Sequence, residues 1–393
     1  MRILVCASEA PLPPLNGMRL QLRELCAQLS RRHDVTVLAL RWPDQEGNPP
    51  DGVELRALPG PVPGPGRRTV ERSRALLRRE PVEARRLAGA LAGPLRQLRA
   101  EQEFDVAHVT LGVLAGLAPA LAGLPAVLAP LDAWPLNVRA ELLAAHGPRK
   151  AWLGLQERAV RRWCQSAYRP FSRVVLVTEQ DAEQTRALDP RLRLAVVPNG
   201  VDAAHFAPPP DQQRQSGRVV FTGALHAPAN AHAAERLARR ILPRLRAGFA
   251  DAELVLVGRR PPPAVRALAD LPGVTVIADA PDLRPWLWSA AAYACPMDRG
   301  TGIKNKLLEA MAAGAPAVAS PLACQGLAVR ADEHVLVARD DDAFATELAA
   351  LLEDAARAER LATAARRLVV ERYSWEAVAA AYEDLYAAAS GGS

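Results

Sequence analysis

Two lysines lie close together in a chain that otherwise uses arginine for its positive charge. Lys304 and Lys306 are two residues apart, and the only other lysine among the 49 lysines and arginines is Lys150. A lysine ammonium is a compact point charge that suits phosphate, a role that the planar guanidinium of arginine does not simply replace. The pair therefore indicates a site for a phosphate-bearing ligand.

A glycine-bearing loop carries the first of these lysines and leads into a helix. The segment CPMDRGTGIKNKLLEAMAAGAPAVAS (295–320) predicts a strand, a loop, a helix over 305–313 and a second strand. The loop delivers the backbone N–H groups of Gly302 and Ile303 to the amino end of the helix, where the helix dipole favours an anion. The loop and the lysines together predict a phosphate site.

Glu309 lies one turn into the predicted helix, whose buried stripe is Leu307, Leu308 and Met311. A carboxylate aimed at the site could accept hydrogen bonds from the vicinal hydroxyls of a ribose. The alternative is an ordinary solvent-facing glutamate, and the residues alone do not separate these two interpretations.

Strands and helices alternate along most of the chain, which predicts α/β domains with parallel sheets covered by helices. The strand candidates of the first half are RILVCAS, DVTVLAL, VAHVTL, PAVLAPL, SRVVLVTE and LAVVPNGVD. Those of the second half, after the polar linker 207–217, are RVVFTGAL, ELVLVG, VTVIAD, AAYACP, PAVAS and HVLVA, and everything after Asp341 is predicted to be helical. Two Rossmann-like, doubly wound halves follow, with ligands expected at the carboxyl ends of the strands in an inter-domain cleft.

Composition excludes several classes of protein. With 50% hydrophobic and 23% charged residues, the chain is not disordered, collagen-like or a coiled coil. Five scattered cysteines without a CxxC pair predict no disulfide framework or zinc cage and favour a reducing compartment. The opening MRILVCASEAP has too short an apolar run for a signal peptide, so we expect a cytoplasmic protein.

Positive charge is concentrated in one segment. The chain carries 49 cationic against 43 anionic residues, and Arg67–Arg99 holds ten arginines against three glutamates. This segment is either a solvated helical face or a patch that contacts an anionic acceptor or the inner face of a membrane. No nucleic-acid partner is expected, because the segment lacks interleaved aromatic residues and no recognition module is visible.

Four segments resemble the retaining glycosyltransferases of family 4, also called glycosyl transferases group 1, which have the GT-B fold. They are SEAPLPPLNGMRLQLRELCAQLSRRHDVTVLAL, VPNGVDAAHFAP (197–208), the segment 295–320 and YSWEAVAAAYEDLY, in the family's order and over nearly the whole chain. The resemblance implies an acceptor-binding domain over 1–205, a nucleotide-sugar-binding domain over 206–373, and a last helix, about 374–390, that crosses back onto the first domain.

The resemblance implies transfer of a sugar from a UDP-, GDP-, ADP- or dTDP-linked donor to an unidentified glycan, lipid or small molecule, with retained anomeric configuration. Glu309 matches the second Glu of the family's E-x7-E motif, which holds the donor ribose. Gly17 matches the loop glycine near the donor phosphates, and Asn199 lies in the PNG turn. The expected donor-binding residues are Gly17, Asn199, Gly223, Arg299, Thr301, Gly302, Ile303, Lys304, Lys306, Leu307 and Glu309.

The chain departs from the family pattern at three places. Thr301 stands where the first Glu of the motif is expected. Ala224 and Asn230 stand where members commonly carry an Arg and a Lys that clamp the diphosphate. The first-domain His of the family is missing, and APLDAW offers Asp132 instead.

Other cations are expected to replace the missing pair, since a diphosphate without them would be poorly stabilised. Lys304 and Lys306 are the first substitutes, with Arg299 and Arg19 as weaker ones. The expected catalytic residues are Asp132, Lys304 and Lys306, and the expected acceptor-binding residues are Asp132, His108 and Arg19. His108 has a second interpretation, as a strand-end residue whose hydrogen bond is satisfied within the protein.

No metal or other cofactor is expected, because there is no DxD cluster in a suitable loop and Asp340–Asp342 are predicted to begin a helix. Two alternatives to the transferase remain. One is a nucleotide-sugar epimerase or phosphorylase on the same scaffold, although neither first-domain acid/base carboxylates nor a cofactor lysine stand out. The other is a non-catalytic GT-B binding module. A dinucleotide oxidoreductase is disfavoured, because no GxGxxG follows a strand.

Overall fold

The protein forms two compact units, each built on its own parallel sheet. Unit 1 comprises Met1–Pro198 with Val378–Ser393, and unit 2 comprises Asn199–Ala377. The structure, a computed structural model, describes residues 1–12, 17–43, 45–61, 81–131, 134–300 and 302–391. No helix within these ranges is long and apolar enough to cross a bilayer.

Unit 1 contains seven parallel strands. They are β1 (Arg2–Ala7), β2 (Asp34–Arg41), β3 (Val53–Pro59), β4 (Val106–Thr110), β5 (Ala126–Leu131), β6 (Arg173–Leu176) and β7 (Leu194–Val196), in the order β3-β2-β1-β4-β5-β6-β7. Its helices are α1 (Gly17–Leu29), α2 (Val82–Glu101), the 3₁₀ helix Gly112–Leu121, α3 (Trp134–Ala144), α4 (Gly147–Ala167) and α5 (Glu179–Leu188). The sheet is buried on both faces, as apolar runs such as RILVCA and VAHVT require.

Unit 2 contains six parallel strands in the order β10-β9-β8-β11-β12-β13. They are β8 (Gln215–Gly223), β9 (Glu253–Gly258), β10 (Val274–Ala278), β11 (Ala290–Cys295), β12 (Ala317–Ala319) and β13 (Leu336–Val337). Its helices are α6 (Pro228–Arg236), a π-helical turn Leu237–Ile241, α7 (Leu242–Gly248), α8 (Pro263–Arg266), the 3₁₀ turn Ala267–Asp270, α9 (Arg284–Trp288), α10 (Asn305–Ala312), α11 (Pro321–Cys324), α12 (Asp341–Glu353) and α13 (Ala355–Tyr373).

The last helix, α14 (Trp375–Ser390), begins in unit 2 and belongs to unit 1 from Val378 onward. Within unit 1, the ring of Tyr386 is buried and its hydroxyl forms a 2.7 Å hydrogen bond with Nδ1 of His108 on β4. The carboxylate of Glu383 contacts Nε2 of His33 at 3.0 Å. Burial of the tyrosine and these polar contacts hold the helix against unit 1.

The predicted doubly wound α/β architecture is confirmed, and all six strands expected in the second half are present. One strand of the first half was not predicted. β3 alternates apolar residues with Glu54 and Arg56, and it lies at the edge of the sheet, paired with β2. The predicted helix start at Asp340–Asp342 is also confirmed, since the Asp340 side chain accepts the N–H of Ala343 at the start of α12.

Candidate functional site

The predicted anion site lies at the point where the strand order of unit 2 reverses. β8 and β11 are neighbours in the sheet. From β8 the chain continues to β9 on one side, and from β11 it continues to β12 on the other side. Ligands of doubly wound sheets bind at the carboxyl ends of the strands beside such a reversal. β8 ends at Gly223, and β11 ends at Cys295, where the loop 296–304 leads into α10.

Two glycines keep the backbone open at this edge of the sheet. A Cβ atom on Gly223 would lie 3.1 Å from the Asn230 amide nitrogen and 3.1 Å from the Lys306 Cε atom. A Cβ atom on Gly258, which ends β9, would lie 1.8 Å from the carbonyl oxygen of Gly223. The glycines therefore let β8 and β9 end side by side and leave their backbone beside Lys306 without side chains.

Asn230 shapes the turn that follows β8. Its side chain is buried, and its Nδ2 atom donates a 2.9 Å hydrogen bond to the carbonyl oxygen of Ala224. Ala224 and Asn230 occupy the two positions where the family resemblance leads one to look for an Arg and a Lys. Since neither carries a charge, any cation at this edge has to come from another element.

Lys306 is the cation that α10 places here. Its Nζ atom lies 6.0 Å from the centre of the Phe221 ring on β8. None of the residues that the structure describes gives this ammonium a hydrogen bond or an ion pair. A half-buried ammonium with an aromatic ring but no hydrogen-bond acceptor beside it is suited to an anionic ligand.

Lys304 is directed into the loop instead. The residue is 6% exposed, and its Nζ atom donates to the carbonyl oxygens of Gly300 (3.1 Å) and Gly302 (2.7 Å). Both glycines have positive φ angles, 98° and 70°, which favour glycine at these turns. The ammonium thus crosslinks two carbonyl groups of the loop and stabilises the segment that leads into α10.

Glu309 projects from the next turn of α10 and is half-buried. Burial raises the pKa of its carboxyl group above the ordinary value, while Lys306 and Arg259 act in the opposite direction. Its carboxylate has no hydrogen bond or ion pair with any described residue. The site therefore holds an ammonium and a carboxylate one turn apart, both available to a ligand.

The sequence prediction missed Arg259, which directly follows β9. Its charge acts on the carboxyl group of Glu309, so it lies within electrostatic range of the site. The signal was present in ELVLVGRRPPP, where arginine follows a strand of a doubly wound sheet at the edge where ligands bind.

The amino end of α10 has no side-chain cap. Its first residue, Asn305, has a buried Oδ1 atom without a hydrogen-bond partner. Uncapped N–H groups at a helix start carry the positive end of the helix dipole. This end of the helix can therefore accept an anion directly.

The other predicted donor-binding residues of unit 2 lie in varied environments. Gly302 is exposed, Ile303 is half-buried and Leu307 is fully buried in the core. Arg299 is exposed, with its Nε atom 3.6 Å from the Asp298 carboxylate.

Asn199 of the PNG turn has a buried Oδ1 atom without a hydrogen-bond partner. Thr301 lies outside the described residues.

The residues predicted in unit 1 are placed as follows. Gly17 begins α1, and no heavy atom lies within 4 Å of the position that a Cβ would take. Arg19 is buried, and its Nε atom lies 2.5 Å from the Glu9 carboxylate. His108 is 2% exposed and hydrogen-bonded to Tyr386, which confirms the satisfied hydrogen bond of its second interpretation, but it lies in the middle of β4 and not at its end. Asp132 lies outside the described residues.

Within the described ranges, no group of three or more His, Cys, Asp or Glu side chains is arranged to hold a metal ion. His232 instead forms a 3.1 Å contact from Nε2 to the Asp298 carboxylate. Asp298, a carboxylate of the loop that leads into α10, is thus paired with His232.

Two parallel sheets covered by helices define a doubly wound α/β protein, and family models identify it further. Residues 15–205 match the model described as Glycosyltransferase Family 4, and residues 216–354 match the one described as Glycosyl transferases group 1. The chain belongs to this family of glycosyltransferases and has its GT-B fold.

Relatives with similar sequences are mannosyltransferases by name. The chain is 37% identical over 206 residues to a phosphatidyl-myo-inositol mannosyltransferase of Mycolicibacterium smegmatis, an alignment that covers 50% of this chain and 52% of that one. The chain thus spans about half the length of this relative. It is 27% identical over 406 residues to a GDP-mannose-dependent alpha-(1-6)-phosphatidylinositol monomannoside mannosyltransferase of the same organism, with 95% of each chain covered.

Solved structures share the fold at low sequence identity. Sucrose-phosphate synthase from Thermosynechococcus elongatus aligns over 100% of both chains with a TM-score of 0.71 and 16% identity. HepE of Anabaena in complex with UDP aligns over 99% of this chain and 100% of its own, with a TM-score of 0.66 and 14% identity. At these identities the likeness concerns the fold alone.

Proposed function

We propose that this chain transfers a sugar from a nucleoside-diphosphate sugar to an acceptor hydroxyl, with retention of the anomeric configuration. The observation that carries the proposal is that Lys306 and Glu309, at the uncapped end of α10, form no hydrogen bond or ion pair with a described residue. The ammonium would bind the diphosphate, and the carboxylate would accept hydrogen bonds from the ribose hydroxyls.

The names of the relatives support both the donor class and the sugar. One relative that aligns over 95% of both chains is called GDP-mannose-dependent, and a protein of the same fold was solved with UDP. We therefore propose GDP-mannose as the first donor to test. The relatives named for phosphatidylinositol also favour an acceptor whose hydroxyls belong to a lipid headgroup.

The cations would act on the leaving group. When the bond from the anomeric carbon to the donor phosphate breaks, negative charge develops on the diphosphate. Lys306 and the N–H groups at the start of α10 are positioned to stabilise that charge, and Arg259 adds a longer-range contribution. A phosphate oxygen of the donor takes the proton from the acceptor hydroxyl as the new glycosidic bond forms. We propose that this chemistry runs without a divalent metal.

A binding titration tests the site. We expect GDP or UDP to stabilise the wild type, by about 2.7 kcal/mol at 100 times the dissociation constant. Lys306→Met should weaken nucleotide binding by about tenfold or more, because a charged hydrogen bond to phosphate is lost. Glu309→Gln should weaken the binding of GDP, but not of inorganic pyrophosphate, which has no ribose.

Matched variants on the surface of unit 2 serve as controls. Arg239→Met removes one positive charge from the π-helical turn, and Glu353→Gln removes one negative charge from α12. Both positions are exposed, so both variants should leave nucleotide affinity unchanged. Unchanged affinity in both site variants would refute the site. Full activity in the presence of EDTA is expected, and its loss would refute metal independence.

Product analysis separates the proposal from the two alternatives. Incubation with GDP-mannose and phosphatidylinositol vesicles should yield an α-mannoside, which is the retained configuration, detectable from the anomeric NMR signal. A β-mannoside would contradict retention. Donor isomerised without an acceptor would indicate an epimerase, and a sugar 1-phosphate formed only when inorganic phosphate is added would indicate a phosphorylase. Nucleotide binding without any chemistry, tested with several donors and acceptors, would support the binding module.

We also propose that the arginine-rich segment 67–99 contacts a membrane or an anionic acceptor. Residues 62–80 lie outside the described residues. In the described part, Arg99 donates hydrogen bonds to the carbonyl oxygens of Ala120 (2.6 Å) and Ala122 (3.1 Å), so this arginine ties α2 to the 3₁₀ helix. The proposal for the segment therefore concerns the arginines before Arg99.

A further inference from the structure

Three apolar side chains stand exposed at the end of the helical hairpin formed by α3 and α4. Leu143 is 73% exposed, Leu155 56% and Trp152 51%. We call these three residues the tip cluster. The other large apolar side chains exposed among the described residues are Met1, Leu20 and Val370, which lie on three separate segments.

Two members of the tip cluster, Trp152 and Leu155, lie on the side of α4 that faces away from the core, and Leu143 lies on α3. The buried residues of α4 are Leu153, Val160 and Cys164, which form one stripe along the helix. Trp152 and Leu155 are three residues apart and share the outer face. α4 is therefore apolar on two sides at its amino end, one buried in unit 1 and the other open to solvent.

The two helices of the hairpin also carry exposed cations. The exposed basic side chains of the hairpin are Arg139, Arg149, Lys150, Arg158 and Arg162. The acidic side chains of the two helices are Glu141, which lies 3.9 Å from Arg149, and Glu157, which lies 3.5 Å from Arg161. The exposed surface of the hairpin thus combines large apolar side chains with an excess of positive charge.

The positive charge of the hairpin favours an anionic membrane over a second copy of the chain as its partner. Two copies of the chain that met through the tip cluster would bring two sets of cations together, which is unfavourable. A bilayer with anionic headgroups offers negative charge at its surface and an apolar layer beneath. Tryptophan prefers that interface, because its ring is apolar and its indole N–H is polar. Exposed leucines with flanking Arg and Lys are typical of segments that lie on such a surface.

We propose that the tip cluster docks unit 1 onto an anionic phospholipid surface. Trp152, Leu143 and Leu155 enter the headgroup region, while Arg149 and Lys150 contact lipid phosphates. This surface is distinct from the arginine-rich segment 67–99, and the inference does not rest on the proposed sugar transfer.

Vesicle flotation tests this surface. The full chain should float with vesicles of phosphatidylcholine containing phosphatidylglycerol, should not float with phosphatidylcholine alone, and should be released by high salt. Trp152→Ser with Leu155→Ser should weaken partitioning by about tenfold or more. Arg149→Glu with Lys150→Glu should do the same, since each cation near such a surface contributes about fivefold.

Matched controls are available on unit 2. Val370→Ser removes an exposed apolar side chain from α13, and Arg239→Glu reverses an exposed charge on the π-helical turn. Both should float like the wild type, and the hairpin variants should unfold at the wild-type temperature, which shows that they fold. Equal flotation of the hairpin variants and wild type would overturn the proposal. So would a concentration-dependent dimer that Trp152→Ser abolishes while flotation persists, because the occupant would then be a second copy.

Discussion

Two lysines that are neighbours in sequence differ in what their ammonium groups contact. Lys304 donates to two loop carbonyl oxygens and is 6% exposed, whereas Lys306 contacts the Phe221 ring and forms no hydrogen bond or ion pair with a described residue. Spacing predicted that both would lie at the amino end of the helix, but it did not show which way each would point. On our account, Lys306 binds the ligand and Lys304 holds the loop that presents it.

His108 provides a pH-dependent test of unit 1. Burial lowers the pKa of its imidazole from 6.5 to about 4. The unfolded chain therefore takes up a proton between these values that the folded chain does not, so the free energy of unfolding falls as the pH drops below 6.5. Between pH 7 and pH 5 we expect His108 to account for a loss of about 2 kcal/mol, since each pKa unit corresponds to about 1.4 kcal/mol.

The control is His108→Gln, which keeps a polar partner for the Tyr386 hydroxyl and does not titrate. Urea unfolding of both proteins at pH 7 and pH 5 measures the difference. The wild type should lose more stability than the variant. An identical loss in the two proteins would mean that the imidazole of His108 does not remain neutral in the folded state.

At the scale of elements, the packing of Trp375 against the turn at position 200 requires a glycine there. A Cβ atom there would lie 2.3 Å from the ring of Trp375, which is buried at the start of α14. We expect Gly200→Ala to lower the free energy of unfolding by about 1–3 kcal/mol, because neither the turn nor the ring can move freely. Gly17→Ala, with no atom within 4 Å of its Cβ, should change stability by less than about 0.5 kcal/mol. Equal thermal stability of the two variants would contradict this packing argument.

The site helix and the strands around it were predictable because their apolar patterns are long and uninterrupted. α10 was predicted over 305–313 and spans Asn305–Ala312. β3 was missed, since an edge strand with alternating polar residues has a weaker pattern than a strand buried on both faces. The role of Asn230 could not be predicted, because it depends on a hydrogen bond to Ala224 that no spacing rule contains.

At the scale of the whole molecule, the α/β class followed from the alternation of elements, and the family followed from four motifs in their expected order. Contacts between distant segments could not be predicted. Arg259, which follows β9, acts electrostatically on Glu309, which lies on α10. The hydroxyl of Tyr386 forms a hydrogen bond with His108, a residue 278 positions earlier in the chain. Such contacts depend on the order of the strands in the sheets, which the apolar patterns do not encode.

The position of a bound donor diphosphate tests the central claim most directly. A crystal of the full chain soaked with GDP should place the β-phosphate within hydrogen-bond distance of the Lys306 ammonium and the first N–H groups of α10, with the ribose hydroxyls on the Glu309 carboxylate. A nucleotide bound elsewhere, with Lys306 and Glu309 still free of it, would contradict the account.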